Sequence, residues 1–95
     1  MYYIYFIYSA GSDKYYVGYS DNPDRRLIEH NTKEFNSYTK KYRPWTLVYS
    51  FPVSASRSDT MKLEKFIKKQ KSRNFIKSII LEQKNLDDFK QILEK

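Results

Sequence analysis

The chain has 95 residues, the length of one small domain, and it contains no cysteine, which excludes disulfide bonds, thiol catalysis and cysteine-based zinc sites. Lysine and arginine number 18 against 11 acidic residues, a net charge of +7 that favours a polyanionic partner, with nucleic acid as the first candidate. Since 40% of the residues are hydrophobic and 18% aromatic, the composition indicates a folded domain rather than a disordered tail.

The first two predicted elements are strands that form a hairpin. Residues 2–8, YYIYFIY, are all aromatic or β-branched, which is typical of a strand buried on both faces. This run is too short to span a membrane and lacks a basic leader, so we expect no membrane partner and a cytoplasmic location. The turn residues SAGSD then lead to a second, antiparallel strand, KYYVGY, over residues 14–19.

Alternation along these strands places several candidate side chains on one face. Tyr3, Tyr5 and Ile7 point one way along the first strand, and Tyr16 shares a face of the second strand with Gly18. Because Gly18 lacks a side chain just where its strand ends, we expect a helix or a phosphate to approach the backbone closely there.

A capped helix is predicted directly after the second strand, within SDNPDRRLIEHN. Asp21 or Asn22 can cap its N-terminus, and Pro23 suits its first turn. Asn31 is the predicted end of the helix. Residues 32–44 are polar and basic with scattered aromatic residues, which predicts a loop that becomes ordered on a ligand.

This helix carries two candidate functional side chains. Leu27 and Ile28 are expected to mark its buried side. Arg26 and His30 are four residues apart and so neighbours on one face. A rotation of about 100° per residue places them beside the buried side rather than opposite it. The simpler interpretation of both residues is a solvated helix edge.

The remaining predicted elements are a third strand and three helices. WTLVYSFPV, over residues 45–53, is the third strand, in which Pro52 indicates an edge or an end. Helical spacing of apolar residues continues through 61–71, 72–84 and 85–95. We therefore expect an α+β domain, a small three-stranded antiparallel sheet flanked by helices.

The helix predicted over residues 61–71 supplies a candidate carboxylate. Glu64 lies off the centre of the buried side, which Leu63 and Phe66 mark. An arginine that neutralises phosphate, a carboxylate that holds a divalent metal and a phenol or imidazole that prepares water are the groups that phosphodiester hydrolysis requires. The simpler interpretation of Glu64 is an intrahelical salt bridge with Lys68.

Several separated motifs occur in the order of a known family. They resemble the motifs of the GIY-YIG nuclease domain: Tyr3-Ile4-Tyr5, Tyr16-Val17-Gly18, Arg26, His30 and Glu64. The likeness is to small standalone members similar to the N-terminal nuclease domain found in excinuclease. Motifs that recur together in this order are far more specific than any one of them alone.

The resemblance implies the activity, the cofactor and the site. It implies a metal-dependent endonuclease that hydrolyses DNA phosphodiester bonds in DNA repair or recombination. We expect residues 1–82 to form the GIY-YIG-like nuclease domain and residues 83–95 to form a C-terminal helix packed on it. Glu64 is implied as the ligand of Mg²⁺ or Mn²⁺. The catalytic residues that the resemblance implies are Tyr5, Tyr16, Arg26, His30 and Glu64.

Two features depart from the family's pattern. Tyr3 stands where the first motif has its glycine, and a rival register would place that motif at Phe6-Ile7-Tyr8. We prefer Tyr5, because its separation from the second motif suits the family's hairpin better. The late asparagine of the family is assigned to Asn74, the nearest candidate after the metal-binding glutamate.

The predicted partner is DNA, contacted through its phosphate backbone, together with a separate protein partner that supplies target selection. Basic side chains outside the motifs are expected to bind the backbone without recognising its sequence. They are Lys40, Lys41, Arg43, Lys68, Lys69, Lys71 and Arg73. The alternatives are a catalytically inactive nucleic-acid-binding module of the same fold and a protein-interaction domain. Tyr5, Tyr16 and His30 all stay open as the group that prepares the water, and we favour Tyr5.

Overall fold

A three-stranded antiparallel sheet lies at the centre of the chain. The computed structural model describes residues 1–33 and 37–93. The strands are β1 (Tyr2–Ser9), β2 (Lys14–Ser20) and β3 (Thr46–Ser54), in the order β2-β1-β3. The helices are α1 (Pro23–Thr32), α2 (Ser37–Lys41), α3 (Arg57–Lys69), α4 (Arg73–Leu81) and α5 (Leu86–Leu93). The predicted α+β class and three-stranded antiparallel sheet are confirmed.

β1 is the central strand and pairs with both neighbours. Tyr5 lies opposite Gly18 of β2 and Ser50 of β3, and residues 4–7 are buried. The prediction of a strand buried on both faces is therefore correct. β3 lies at an edge of the sheet, as Pro52 indicated, because proline has no N–H to give to a further strand.

Alternation along β1 divides the core between two faces of the sheet. The apolar face holds Ile4 and Phe6, against which α3, α4 and α5 pack through Leu63, Ile67, Ile79 and Phe89. The tyrosine face holds Tyr5 and Ile7 together with Trp45, and Tyr16 and Leu27 pack against it. One strand thus contributes to two cores of different composition, since successive side chains point to opposite faces.

Side-chain caps set the start of each long helix. Asn22 accepts a hydrogen bond from the backbone N–H of Arg25 at 3.0 Å and caps α1, as one of the two predicted caps. Ser56 caps α3 through the N–H of Asp59 at 3.3 Å. Because of this cap, α3 begins at Arg57 rather than at residue 61, where the sequence pattern had placed its start.

The segment predicted as a loop over residues 32–44 is partly helical. Thr32 still belongs to α1, and α2 follows at Ser37–Lys41, while residues 34–36 lie outside the described residues. The indole N–H of the buried Trp45 donates to the carbonyl of Thr39 at 2.7 Å. This contact fastens α2 to the tyrosine face, and ordering of the segment by a ligand stays a prediction.

The C-terminal helix packs on the apolar face. Phe89 is buried, and its ring stacks on that of Phe51 with centroids 6.0 Å apart. The hydroxyl of Tyr49 donates to the carbonyl of Lys84 at 2.6 Å, which holds the turn before α5 against the sheet. Residues 94 and 95 lie outside the described residues, and the domain boundary at residue 82 stays a prediction. None of the helices described has the length and apolar character needed to cross a membrane.

Candidate active site

A cavity of about 470 Å³ opens where the two N-terminal strands meet α1 and α3. Its walls include Tyr5, Tyr16, Arg26 and Glu64, four of the five residues predicted to be catalytic. An arginine from the first helix and a glutamate from the third therefore reach the same hollow, although 38 positions separate them in the chain. Tyr5 and Tyr16 add two phenols to the same lining. We call this hollow the catalytic cavity.

The phenol of Tyr5 crosses β2 at Gly18. The two residues are cross-strand partners, and a Cβ atom at Gly18 would lie 2.4 Å from the Tyr5 hydroxyl oxygen. Only glycine leaves room for the ring at this position. The prediction of a close approach to Gly18 is right, but its expected cause is wrong, since the approaching group is the Tyr5 ring rather than a helix or a phosphate.

His30 lies behind Tyr5, not in the wall of the catalytic cavity. It is fully buried, which overturns the interpretation of a solvated helix edge, and its Nε2 lies 2.7 Å from the Tyr5 hydroxyl oxygen. Ile28, predicted to be buried, is 62% exposed. Leu27 and His30 are three residues apart and share the face that packs on the sheet, which turns Ile28 towards solvent.

Burial of His30 lowers its pKa to about 4, and the neighbouring charge of Arg26 acts in the same direction while Glu29 opposes it. The imidazole is therefore neutral at pH 7. With the ring proton on Nδ1, its Nε2 can accept the hydrogen bond that the Tyr5 hydroxyl donates. In this tautomer the phenol is hydrogen-bonded to a neutral acceptor.

Burial raises the pKa of Tyr5, the guanidinium of Arg26 partly offsets this effect, and Tyr16 and Glu64 add to it. Tyr5 is consequently a neutral phenol at pH 7. The neutral phenol can orient a water molecule. It can accept a proton from that water only if its hydroxyl proton is transferred to another group.

Arg26 is held in the cavity wall by Glu29. The guanidinium Nη1 donates to Glu29 Oε1 at 3.0 Å. Partial burial acts to lower the pKa of Arg26, but its contacts with Glu29 and Tyr5 outweigh burial and raise that pKa. Arg26 therefore presents a permanent positive charge whose orientation is set before any substrate arrives.

Glu64 is recessed in the lining of the cavity, with 14% of its side chain exposed. Burial raises the pKa of Glu64, and the ammonium of Lys68, 3.7 Å from Oε1, opposes that rise. The predicted pairing with Lys68 is therefore present. Glu64 lines the cavity even though it is paired with Lys68. The salt bridge therefore does not exclude a role for Glu64 in the site.

The donor set around Glu64 can be tested for its fit to a divalent cation. Within residues 1–33 and 37–93, no group of three histidine, aspartate or glutamate side chains is placed to hold a metal ion. Mg²⁺ commonly uses one or two carboxylates together with waters and substrate phosphate. A recessed carboxylate in a cavity of this size fits such a hydrated ion and does not fit an ion enclosed by protein ligands.

The cavity also contains residues that sequence analysis had missed. Arg57, in the first turn of α3, lines the wall, and its Nε donates to the Tyr19 hydroxyl at 3.0 Å. Arg25 lines the same wall and pairs with Asp21 at 2.7 Å. The sequence pattern placed the start of α3 at residue 61, four residues too late. A start at Arg57 would have indicated that this side chain lies near the carboxyl end of β2 and so near the cavity.

The predicted backbone-binding residues divide between structural and exposed positions. Arg43 donates to the carbonyls of His30, at 2.6 Å, and Lys33, so it fastens the end of α1. Arg73 pairs with Asp13 at 2.5 Å and links α4 to the hairpin. Arg73 is exposed as well as paired, and the remaining predicted residues are also exposed: Lys40, Lys41, Lys68, Lys69 and Lys71.

The alternatives for the first and last motifs can also be compared with the geometry. The rival register would use Tyr8, but its hydroxyl donates to Asp13 at 2.6 Å in the hairpin, away from the cavity wall. Asn74 is exposed on α4 and does not line the catalytic cavity. The geometry therefore favours Tyr5 as the tyrosine of the first motif and gives Asn74 no place at the site.

Comparison with known proteins gives a consistent result. The model of the GIY-YIG catalytic domain matches residues 1–77. The chain is similar to a UPF0213 protein of Limosilactobacillus reuteri, with 36% identity over 74 residues that cover 76% of this chain and 75% of that protein. It is also similar to a UPF0213 protein of Staphylococcus haemolyticus, with 35% identity over 63 residues, 66% of this chain and 76% of that one. No solved structure gives a significant match.

Proposed function

The chain belongs to the GIY-YIG family, and from this premise we propose that it is a divalent-metal-dependent endonuclease that hydrolyses phosphodiester bonds in DNA. The observation that carries the proposal is the meeting of Arg26 and Glu64 in one cavity, beside Tyr5 and Tyr16. The net charge of +7 supports a polyanionic substrate. A role in DNA repair or recombination belongs to the same proposal.

Glu64 is the proposed ligand of the metal, either Mg²⁺ or Mn²⁺. Burial disfavours its charged form, so a cation beside it is favoured, and Lys68 is near enough to compensate the charge when no metal is bound. The metal would neutralise charge on the scissile phosphate and on the leaving oxygen. The remaining steps are carried out by side chains of this chain.

Arg26 holds a non-bridging oxygen of the scissile phosphate. Its guanidinium is already fixed by Glu29, so little reorganisation is needed as negative charge builds in the transition state. Arg57 extends the same cationic wall towards the neighbouring phosphate, from its position beside Tyr19.

Tyr5 and His30 together prepare the attacking water. The water gives a proton to the Tyr5 hydroxyl oxygen while that hydroxyl gives its own proton to His30 Nε2, 2.7 Å away. The result is a nucleophilic hydroxide and an imidazolium, and no free phenolate is required. Tyr16 lines the cavity beside them and is proposed to orient the phosphate.

Nicking of supercoiled plasmid and branched DNA in the presence of Mg²⁺ tests the proposal. We expect Glu64→Gln and Arg26→Ala each to slow nicking by roughly 10²-fold or more, the loss seen when one preorganised transition-state group is removed. Glu82→Gln makes the same chemical change at an exposed carboxylate outside the cavity and should nick as the wild type does.

Two results would contradict the proposal. Equal nicking by wild type and Glu64→Gln would show that the activity comes from another nuclease. Salt-dependent DNA binding with no cleavage in Mg²⁺ or Mn²⁺ would instead indicate the catalytically inactive binding module.

A further inference from the structure

A second surface adjoins the catalytic cavity beside β2. It consists of two hollows of about 260 and 240 Å³ that share Tyr15, Tyr38, Lys68 and Ile76. We call this surface the Tyr38 groove. Tyr16 lines both the groove and the catalytic cavity, so the groove begins where the cavity ends.

The groove presents an aromatic platform. The ring of Tyr38 lies 6.0 Å from that of Tyr16 and 6.3 Å from that of Trp45, with interplanar angles of 32° and 30°. Trp45 is buried, whereas Tyr38 is 42% exposed. Tyr38 is thus supported by neighbouring rings on its inner side while much of it remains in solvent, which is the arrangement of a side chain on which a nucleobase can stack.

Cationic side chains surround this platform. Lys14, Lys68, Lys71 and Arg73 line the groove. Asp13 is the one acidic residue among its described lining residues, and Arg73 pairs with it at 2.5 Å. Lys68 Nζ lies 5.0 Å from the centre of the Tyr16 ring and 3.7 Å from Glu64, so it stands at the junction of groove and cavity. The surface is complementary to a phosphate backbone.

We propose that the Tyr38 groove binds an unpaired DNA nucleotide adjacent to the scissile phosphate, which makes single-stranded or locally unpaired DNA the substrate class. The inference rests on the nuclease function proposed above. Each hollow is smaller than the roughly 300–1,000 Å³ of typical small-molecule pockets, which suits one flat base. A base within a duplex has both faces covered by its neighbours, so it can stack on Tyr38 only after leaving the helix.

Fluorescence anisotropy without divalent metal tests the proposal on the full chain. The probes are a labelled single-stranded oligonucleotide and the blunt duplex of the same sequence. We expect Tyr38→Ala to weaken single-strand binding about 5- to 150-fold, the range for loss of one stacking side chain, and to change duplex binding by less than about twofold. Tyr38→Phe keeps the ring and should bind as the wild type does.

A second variant tests the cationic rim without touching the rings. Lys71 has a φ of 48°, a conformation that asparagine tolerates, so Lys71→Asn removes the charge without backbone strain. We expect the slope of log K against log salt for the single strand to become shallower by about 0.7. Lys90→Gln removes the same charge from α5, outside the groove, and should leave the slope unchanged.

The outcomes separate this inference from the nuclease proposal. A cooperative urea transition, followed by the emission of Trp45, the single tryptophan, reports whether each variant is folded. The groove proposal is overturned if folded Tyr38→Ala binds both probes as the wild type does, or if it loses affinity for both probes equally. This holds even if the wild type nicks DNA. If Tyr38→Ala does not fold, an unchanged slope for Lys71→Asn overturns it instead. A wild type that binds neither probe contradicts both proposals.

Discussion

The two faces of the sheet differ in what they bury, although the same strand contributes to both. Phe6 lies on the apolar face, in contact with the rings of Tyr49 and Phe51, and Tyr5 beside it lies on the tyrosine face, hydrogen-bonded to His30. Both side chains are almost fully buried. The apolar face gains stability from packing that has no directional requirement, whereas the tyrosine face combines such packing with a hydrogen bond that requires one arrangement of its groups.

Because of this difference, neighbouring residues of β1 are expected to serve different purposes: those on the apolar face stabilise the fold, and Tyr5 on the tyrosine face serves the proposed reaction. On the tyrosine face, burial raises the pKa of Tyr5 and lowers that of His30 to about 4, so the fold itself sets the protonation of the pair. On the apolar face, aliphatic and aromatic side chains such as Ile4, Phe51 and Leu63 form the core. A substitution should therefore affect stability or activity according to the face on which it falls.

The largest expected effect follows from removing the ring on the apolar face. Phe6→Ala should lower the free energy of unfolding by about 3–5 kcal/mol, since it leaves a cavity in a packed core. Tyr5→Phe removes a single buried hydroxyl and should cost about 1–3 kcal/mol while it abolishes nicking. Urea unfolding and plasmid nicking measure the two quantities. Equal stability losses for the two variants would contradict the division between the faces.

The pH dependence of stability should come from the tyrosine face. Because the pKa of His30 falls from its ordinary 6.5 to about 4 on burial, the unfolded chain binds more protons between these values. Stability from the neutral imidazole is complete above pH 6.5 and is lost as the pH falls towards 4, by roughly 3 kcal/mol.

Urea unfolding of the wild type and of His30→Gln across this pH range measures that loss. The glutamine keeps an acceptor for Tyr5 but cannot titrate, so its stability should fall less on acidification. The raised pKa of Glu64 acts with the opposite sign and is common to both proteins. Parallel curves would show that His30 is not the titrating group.

Much of the fold follows from local patterns in the sequence. The apolar run YYIYFIY, the turn SAGSD and the cap-and-proline start of α1 each specify a single type of element, and all three lie as predicted. α2 could not be predicted, because a helix of five residues has too few turns to show a period. It is held instead by the indole of Trp45, a contact that only the folded chain reveals.

Four of the residues that line the cavity were predicted from the sequence, but Arg25 and Arg57 were not, and neither was the burial of His30. Neighbouring apolar residues Leu27 and Ile28 left the phase of α1 ambiguous, and docking on the sheet buried His30 instead of Ile28. Arg57 was missed because several serines could cap α3. The first error arises from a tertiary contact that determines which face of α1 turns inward, and the second from the choice among local caps that determines where α3 begins.

The smallest of the expected effects tests the contact that joins the two strands at the site. Gly18→Ala would place a Cβ 2.4 Å from the Tyr5 hydroxyl oxygen, so the phenol must move away from His30. We expect a loss of about 1–3 kcal/mol in unfolding free energy, as for other overpacked sites, and slower nicking. Gly11→Ala, at a turn position with no atom within 4 Å, is the matched control and should change neither quantity.

A double-mutant cycle shows whether the contact itself is responsible. The atoms that a new Cβ would meet all belong to the far end of the Tyr5 side chain. In a Tyr5→Leu background these atoms are absent, so Gly18→Ala should then cost little, and the coupling energy should be of the order of 1 kcal/mol or more. An undiminished cost in that background would mean that β2 requires glycine for its own backbone. The close approach of Tyr5 would then be a consequence of Gly18 and not its reason.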